Sequence, residues 1–412
     1  MTRQATRFLL RLIATGAAAA VLLGGAAARA ATDLTVWHAY RGDEKAAFEK
    51  VVAMYNAKQK EVVVKTLAVP YDAYADKITA SVPRGKGPDV FIFAQDRLGG
   101  WVEAGQTLEP IDFFLDDKVT SQLVPGMMAA MTYRDAVYGL PLNYKSIALI
   151  YNTAMVKSPP KTSGELVKLA KSMTDATTGR FGLAYEYSNF FFHAALMNAF
   201  GGQVFGPGAV PTIDSPQNVA AVKLMLKWYK QDGILPADPS ATLIAGLFNE
   251  GKSPMVFSGP WFLGEVQEKV KYAVAPLPAV DEAGGKPMRP WLTVEGVFVS
   301  AASQNKEKAY DFAQFLVSKD AALVLALEGG QLPTNKGAYD DPRVKANATI
   351  AGFRKQLETA VPMPNYAEMT LMWSPVTTAM NKIVKGSATP EVALKEAQDT
   401  VKANIAKLRK GR

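Results

Sequence analysis

Short β-branched or aromatic runs alternate along this chain with amphipathic helices, and this alternation constrains the fold more than any other feature. Three segments have the composition of strands: residues 34–37, 61–69 and 89–94. Between the first two, apolar residues recur at the spacing of one helical face: Phe48, Val51, Val52 and Tyr55. The repeated order of strand, helix and strand predicts an α/β fold with a largely parallel sheet.

The length of 412 residues predicts more than one lobe, because burial per residue stops improving beyond roughly 250–300 residues. The chain is 49% hydrophobic and 20% charged, which is ordinary for a globular protein with a large core. No internal repeat or long linker interrupts the pattern. We therefore expect short crossings between lobes, including residues 139–143 and the segment near 291–299, with a ligand site at the interface.

Residues 1–30 have the composition of a secretory signal peptide. Their start is basic, residues 9–23 are apolar, and Ala28-Arg29-Ala30 has the form of a cleavage site. We therefore predict an exported, periplasmic protein. The segment holds four arginines and no acid, so its removal lowers the formal charge from +8 to +4 and weakens the case for nucleic-acid binding. No later run of about 18 apolar residues predicts membrane insertion.

No residue pattern predicts a cofactor, a metal site or a catalytic group. The sequence has no cysteine and only two histidines, so a zinc site would have to be rich in carboxylates. Residues 246–253 match the phosphate-loop pattern letter for letter. The context contradicts that interpretation, because 241–248 resembles a helix, Gly251 its C-cap, and 254–257 a strand. A helix turning into a strand explains the segment.

Aromatic side chains lie beside polar residues at three predicted strand ends or turns. Trp37 and Phe93 are each followed by polar residues, and Trp261 follows a Gly-Pro turn. Carbohydrates need such surfaces, because their C–H faces stack on flat rings while their hydroxyls take donors and acceptors. The alternative is that each ring only packs the edge of a lobe. Trp228 lies in a helical apolar stripe and is predicted to be core.

Four ordered blocks of sequence carry a resemblance to one family. The blocks are residues 87–100, 141–152, 248–261 and 363–373. They resemble a ligand loop, a lobe crossing and two aromatic segments of the extracellular solute-binding proteins, family 1, of ABC sugar importers, most closely the maltose- and maltodextrin-binding members. The resemblance implies a two-lobed periplasmic-binding-protein fold of type II. Each lobe is expected to hold a mixed, mostly parallel sheet flanked by helices, with a hinge between the lobes.

The resemblance also implies ligand contacts, in which aromatic rings stack on sugar and polar groups bind hydroxyls. The expected set is Trp37, Arg41, Phe93, Asp96, Arg97, Lys145, Asn189, Phe191, Trp261 and Trp373. The aromatic positions match the family better than the polar ones. Lys145 and Asn189 replace acidic contacts, and Arg41 lies where an acidic-basic pair is lost. This pattern favours a carbohydrate, with a neutral sugar preferred over an anionic one.

The expected function is capture of maltose, a malto-oligosaccharide or a related oligosaccharide by hinge closure, and its delivery to the permease subunits of an ABC transporter. The protein is expected to be a monomer that catalyses no reaction. Residues 31–142 and 297–342 are expected to form the first lobe, and 143–296 and 343–412 the second. An exported glycoside hydrolase, with two carboxyl groups across a cleft, and a binding protein for a different or anionic solute are the alternatives.

Overall fold

The computed structural model describes residues 31–410, so the predicted signal peptide lies outside the described residues. The strands in chain order are β1 (Thr32–His38), β2 (Val62–Ala68), β3 (Val90–Ala94), β4 (Thr132–Tyr133), β5 (Ala136–Val137), β6 (Gly139–Lys145), β7 (Ala148–Asn152), β8 (Phe205–Gly206), β9 (Val210–Pro211), β10 (Met255–Ser258), β11 (Tyr272–Ala275), β12 (Ala279–Val280), β13 (Lys286–Pro287), β14 (Trp291–Val299) and β15 (Val361–Pro362).

The α-helices connect and cover these strands. In chain order they are α1 (Gly42–Lys58), α2 (Tyr71–Ser81), α3 (Leu98–Ala104), α4 (Asp117–Thr120), α5 (Met127–Ala130), α6 (Ser163–Met173), α7 (Phe190–Ala199), α8 (Pro216–Leu226), α9 (Ala241–Asn249), α10 (Lys306–Leu316), α11 (Lys319–Leu327), α12 (Pro342–Lys345), α13 (Ala348–Leu357), α14 (Trp373–Lys385) and α15 (Pro390–Lys410). Three short 3₁₀ turns matter for the site: Gln95–Arg97, Pro260–Glu265 and Ala367–Leu371.

The larger sheet has six strands in the order β15-β14-β3-β1-β2, with β6 also paired to β14. β1 runs parallel to β2 and β3, and β14 runs parallel to β15 but antiparallel to β3 and β6. Helix α1 connects β1 to β2 and buries the predicted face of Phe48, Val51, Val52 and Tyr55 against this sheet. The predicted α/β architecture with a mixed sheet is therefore confirmed here.

The smaller sheet differs from the prediction. Its three strands have the order β10-β7-β11, and both outer strands pair with β7 in the antiparallel sense. A single parallel bridge, Ala184 to Val256, extends it. The expectation of a mostly parallel sheet in the second lobe is therefore wrong. Composition identifies a strand, but its direction depends on how the intervening helices return the chain, which no local pattern records.

Local signals in the sequence produce the predicted helix boundaries. The Ser215 side chain accepts a hydrogen bond from the Asn218 backbone N–H at 3.3 Å, with Pro216 in the first helical position of α8. Gly251 has a φ of +67° just after α9, so the phosphate-loop match is a helix end followed by β10. The Trp228 side chain is fully buried, as predicted for a core residue.

The two predicted crossing segments lie side by side. They become β6 and β14, which pair antiparallel from Thr293 opposite Lys145 to Phe298 opposite Gly139. β6 leads within three residues to β7 of the smaller sheet, so β6 links the two sheets directly. A β-bulge between Glu295 and Gly296 interrupts the register of β14. Lys145, one of the residues expected to bind ligand, ends β6.

Candidate functional site

The turn after β3 brings two predicted polar residues to a ring from a distant part of the chain. Asp96 and Arg97 lie in the 3₁₀ turn Gln95–Arg97, and Trp373 is the first residue of α14. The indole Nε1 of Trp373 donates to Asp96 Oδ2 at 3.0 Å, and Arg97 Nε lies 3.1 Å from the same oxygen. The Arg97 guanidinium lies 5.6 Å from the centroid of the Trp373 ring. The structure thus joins three predicted ligand contacts in one cluster.

Burial governs the chemistry of Asp96, whose residue surface is only 3% exposed. Burial raises the pKa of this carboxyl above its ordinary value, although the Arg97 charge and the Trp373 hydrogen bond oppose the shift. Arg97 is more open than Asp96, with a quarter of its side chain exposed. The cluster therefore offers a guanidinium with free N–H groups beside a largely desolvated carboxylate, a pairing suited to hydroxyl groups.

A continuous set of aromatic contacts extends from this cluster to Trp261. Trp373 lies 5.9 Å from Trp291, Trp291 lies 6.2 Å from Phe191, and Phe191 lies 6.0 Å from Trp261, measured between ring centroids. Trp291 is buried, whereas Phe191, Trp261 and Trp373 are partly exposed. The pairs are tilted or edge-on. We call this set, Phe191, Trp261, Trp291 and Trp373, the aromatic wall.

A glycine fixes the place of Trp261 in the aromatic wall. Trp261 is the second residue of the turn Pro260–Glu265, which follows β10. A Cβ atom added at Gly259 would lie 2.1 Å from Cζ3 of the Trp261 ring. The indole therefore packs directly on the backbone of Gly259, in the Gly-Pro turn that follows β10.

Lys145 lies in a buried polar network rather than on an open surface. Its Nζ is 2.8 Å from Glu44 Oε1 and 3.1 Å from Glu295 Oε1, and its side chain is 9% exposed. Burial lowers the pKa of Lys145, but the charges of Glu295 and Glu44 outweigh this effect and raise it. Burial raises the pKa of Glu44 despite the nearby ammonium. Glu295 also accepts from the Tyr40 hydroxyl at 3.0 Å.

Arg41 likewise contacts a carboxylate. Its Nη2 lies 2.9 Å from Glu265 Oε1, with 53% of the Arg41 side chain exposed. Arg41 lies just before α1, in the loop that follows β1 of the larger sheet. Glu265 ends the turn that carries Trp261. The ion pair therefore joins segments that follow strands of the two different sheets.

Two of the predicted aromatic contacts are buried away from the aromatic wall. Phe93 is 4% exposed, and its ring stacks on Tyr74 and on the exposed Tyr71, with centroids 5.1 and 5.2 Å apart. Trp37 is 8% exposed, and the Lys77 ammonium lies 4.6 Å from its ring. Trp37 and Phe93 are therefore better described as rings that pack the edge of a lobe than as exposed rings that stack on a ligand.

Asn189 caps helix α7, and the nearby Glu186 carboxyl is not among the ligand contacts predicted from the sequence. The Asn189 side chain accepts from the Phe191 backbone N–H at 3.0 Å, which orients α7 and therefore the Phe191 ring. Glu186 lines a narrow cavity together with Arg41 and Trp261. Burial raises the pKa of Glu186 above its ordinary value. Its acidic side chain between two aromatic residues, in Tyr-Glu-Tyr, was the available signal.

A wider groove lies elsewhere on the surface. It measures about 390 Å³, lies between α14 and α15, and has none of the predicted ligand contacts in its lining. Across residues 31–410, no cluster of three or more His, Cys, Asp or Glu side chains could hold a metal ion. In the same part of the chain, no helix combines the length and hydropathy needed to cross a bilayer.

Comparison with known proteins gives a consistent result. Residues 50–352 match the family model described as bacterial extracellular solute-binding protein. A maltotriose-binding protein of Pyrococcus abyssi is 30% identical over 381 residues, covering 90% of this chain and 82% of the relative. A galactooligosaccharide-binding protein of Bacillus subtilis is 28% identical over 388 residues, covering 91% and 90%. The maltotriose-bound structure of the Thermus thermophilus maltotriose binding protein is similar at a TM-score of 0.82, with 27% identity, covering 90% of this chain and all of that one.

Proposed function

The chain belongs to the bacterial extracellular solute-binding proteins, and on that premise we propose that it captures an oligosaccharide between two lobes and delivers it to an ABC transporter. The observation that carries the proposal is the aromatic wall, whose partly exposed rings end at the Asp96–Arg97 pair. Flat rings beside charged hydrogen-bonding groups match both the apolar faces and the hydroxyls of a sugar.

The proposed ligand is a neutral malto-oligosaccharide or a closely related oligosaccharide. The similar proteins are named for maltotriose and galactooligosaccharide, which are uncharged sugars. The charges around the aromatic wall support the same choice, because Arg41, Arg97 and Lys145 each lie within an ion pair with a carboxylate. An anionic sugar would have to compete with these carboxylates for each cation.

The proposed ligand contacts are the sequence-predicted set, with roles divided by exposure. Phe191, Trp261 and Trp373 would stack on the sugar, and Asp96 and Arg97 would bind its hydroxyls. The remaining members would shape the site from behind: Trp37, Arg41, Phe93, Lys145 and Asn189. Glu186 joins them, because it lines the cavity beside Trp261.

The proposed lobes are residues 31–142 with 297–342, and 143–296 with 343–412. The first two boundaries fall within the paired strands β6 and β14, and the third within the four-residue helix α12. The two strands are short extended segments, which can absorb the dihedral changes of hinge closure. Because each lobe draws on separate stretches of chain, dividing the gene after residue 142 should give two fragments that do not fold alone.

The proposed location is the periplasm, reached through the signal peptide predicted in residues 1–30, and the proposed partners are the permease subunits of a sugar importer. We further propose that the protein acts as a monomer and releases its sugar chemically unchanged. Three carboxylates around the aromatic wall support a binding role, because Asp96, Glu44 and Glu265 are each paired with a cation.

Calorimetric titration against a sugar panel tests the proposal. The panel contains maltose, maltotriose, maltotetraose, a galactotriose and a uronic-acid trisaccharide, each recovered and analysed after binding. We expect saturable binding of a neutral member, a raised melting temperature and unaltered sugar. Release of shorter sugars would establish a hydrolase, and a response confined to the uronic-acid trisaccharide would establish an anion-binding protein.

A further inference from the structure

Two cations predicted as ligand contacts both act on the turn that carries Trp261. The Lys145 ammonium lies 5.9 Å from the centroid of the Trp261 ring, near the start of the turn Pro260–Glu265. Arg41 contacts Glu265, the last residue of the same turn, at 2.9 Å. A cation facing an aromatic ring within about 6 Å is attracted to it. The turn is therefore contacted near its start by Lys145 and at its end by Arg41. Lys145 ends β6 and Arg41 follows β1, and both strands belong to the larger sheet.

The backbones also touch at this place. A Cβ atom added at Gly42, the first residue of α1, would lie 3.3 Å from the carbonyl oxygen of Gly264. One added at Gly264 would lie 3.0 Å from the backbone nitrogen of Asp43. A Cβ at either position would therefore make a contact tighter than ordinary van der Waals packing, to which the neighbouring backbone would have to adjust by a few tenths of an ångström. The two glycines therefore allow the approach that brings Arg41 to Glu265.

Lys145 connects this contact to the strands between the sheets. It ends β6, and its two carboxylate partners are Glu44 of α1 and Glu295 of β14. Its ammonium is thus bound to both crossing strands while it faces the Trp261 ring. An ammonium group fixed in this way has little freedom to move toward a charged group of a ligand.

We propose that Arg41 and Lys145 are positioning residues, which clamp the turn Pro260–Glu265 against α1 in the closed state and so place the Trp261 ring for stacking. This inference rests on the proposed sugar-binding function. Since the clamp joins elements that follow strands of different sheets, it stabilises the closed arrangement. Its loss therefore speeds release of the sugar more than it slows capture.

Maltotriose binding by charge variants provides the first test. The variants are Arg41→Ala, Glu265→Ala, the double variant, and the exchange of Arg41→Glu with Glu265→Arg. We expect each single variant to bind maltotriose about two- to five-fold more weakly than the unaltered protein, through faster release. The double variant should bind no more weakly than either single variant, and the exchange should recover the affinity that the single variants lose. Lys50→Ala is the matched control, because Lys50 pairs with Glu328 at 2.6 Å with similar exposure, and its affinity should stay unchanged.

Three results would overturn the clamp. Additive losses in the double variant would show that Arg41 contacts the ligand independently of Glu265. Tighter binding of a uronic-acid trisaccharide, lost in Arg41→Ala, would show anion recognition. Equal losses in the Lys50→Ala control would show a general charge effect.

For Lys145, replacement by Arg should retain most of the affinity that Lys145→Met loses, with the melting temperature of the sugar-free proteins measured alongside.

A cross-link tests the contact without relying on sugar binding. A Cβ at Gly264 would lie 3.6 Å from the Cβ of Asp43, which is within the range of about 3.5–4.5 Å for disulfides. The chain has no cysteine, so Asp43→Cys with Gly264→Cys introduces one pair. We expect oxidation to form the bond, maltotriose to accelerate it, and release to slow until the bond is reduced. Failure to cross-link, or release unaffected by oxidation, would overturn the clamp. Cross-linking without any sugar response in the panel would retain the contact and overturn only the proposed function.

Discussion

The indole N–H of Trp373 donates to the Asp96 carboxylate at 3.0 Å, across 277 positions of sequence. Asp96 follows β3 of the larger sheet, and Trp373 begins α14, whose buried face belongs to the core around the smaller sheet. The bond therefore ties one ring of the aromatic wall to the polar cluster that faces it. The bond uses only the edge of the indole, while the Arg97 guanidinium lies 5.6 Å from the ring centroid.

Replacing Trp373 with Phe should destabilise the protein at neutral pH. A smaller aromatic ring without an N–H group replaces the indole, so the buried Asp96 carboxylate loses a donor, which costs about 1–3 kcal/mol of unfolding free energy. Urea denaturation of Trp373→Phe, Asp96→Asn and the double variant measures the coupling between the two side chains. A double variant whose loss equals the sum of the single losses would contradict a direct interaction.

Replacing Trp261 with Ala should abolish sugar binding and leave the fold nearly intact. The indole is partly exposed, so its removal costs stacking area for a ligand more than it costs core packing. Titration with maltotriose and the far-ultraviolet circular dichroism spectrum check the two halves of the prediction. Phe113→Ala is the control, since that ring is 92% exposed and lies in a separate turn. Unchanged affinity in Trp261→Ala would count against the aromatic wall as a stacking surface.

Gly99 should tolerate no side chain. A Cβ there would lie 2.4 Å from the Ala367 backbone nitrogen and 2.5 Å from the Asn365 carbonyl oxygen, where α3 packs on the segment before Trp373. Gly99→Ala should lower the unfolding free energy by about 1–3 kcal/mol, because backbone cannot move aside as a side chain can. Gly246→Ala, in α9 with no atom within 4 Å, should be neutral or stabilise by up to about 1 kcal/mol. Thermal unfolding of both variants decides, and equal melting temperatures would refute the close approach.

Acid should destabilise the protein through its two histidines. Burial lowers the pKa of His38 and of His193 from 6.5 to about 4. Between these values the unfolded chain binds protons that the folded chain does not. Stability therefore falls as pH decreases through this window, by up to about 3 kcal/mol per histidine.

Comparison with a variant isolates this effect from the carboxyls. Asp96 and Glu44 have raised pKa values and act in the opposite direction, gaining folded-state preference as pH falls. His193→Leu removes an imidazole whose two nitrogens have no hydrogen-bond partner among the described residues. Urea unfolding at pH 7.5 and at pH about 4.5 should show a smaller loss for this variant than for the unaltered protein. An identical pH dependence would exclude His193 as a contributor.

Local sequence signals predicted the elements of the fold because their causes are local. Ser215 caps α8 with its own side chain, and Gly251 ends α9 through a backbone conformation that suits glycine. The face of α1 follows from the spacing of its apolar residues. The antiparallel pairing of β7 and β10 could not be predicted in this way, because the apolar composition of a strand does not depend on the direction in which it runs beside its neighbour.

The sequence identified aromatic residues that the fold brings together, but not which of them are exposed. Phe191, Trp261 and Trp373 lie in one set of ring contacts, whereas Trp37 and Phe93 are buried. Trp291, which connects the set, was assigned only to a crossing segment. A buried tryptophan and an exposed one have the same letter, and exposure depends on what the rest of the chain packs against it.

The sequence by itself determined the α/β elements, their boundaries and the residue types available to bind a sugar, because these depend on neighbours within a few positions. The tertiary structure alone decided which charges meet. Arg41 and Glu265 lie far apart in the chain but 2.9 Å apart in space, and Lys145 is neutralised by Glu44 and Glu295. The reason is physical: a charge interacts through distance and burial, and both quantities exist only after the chain has folded.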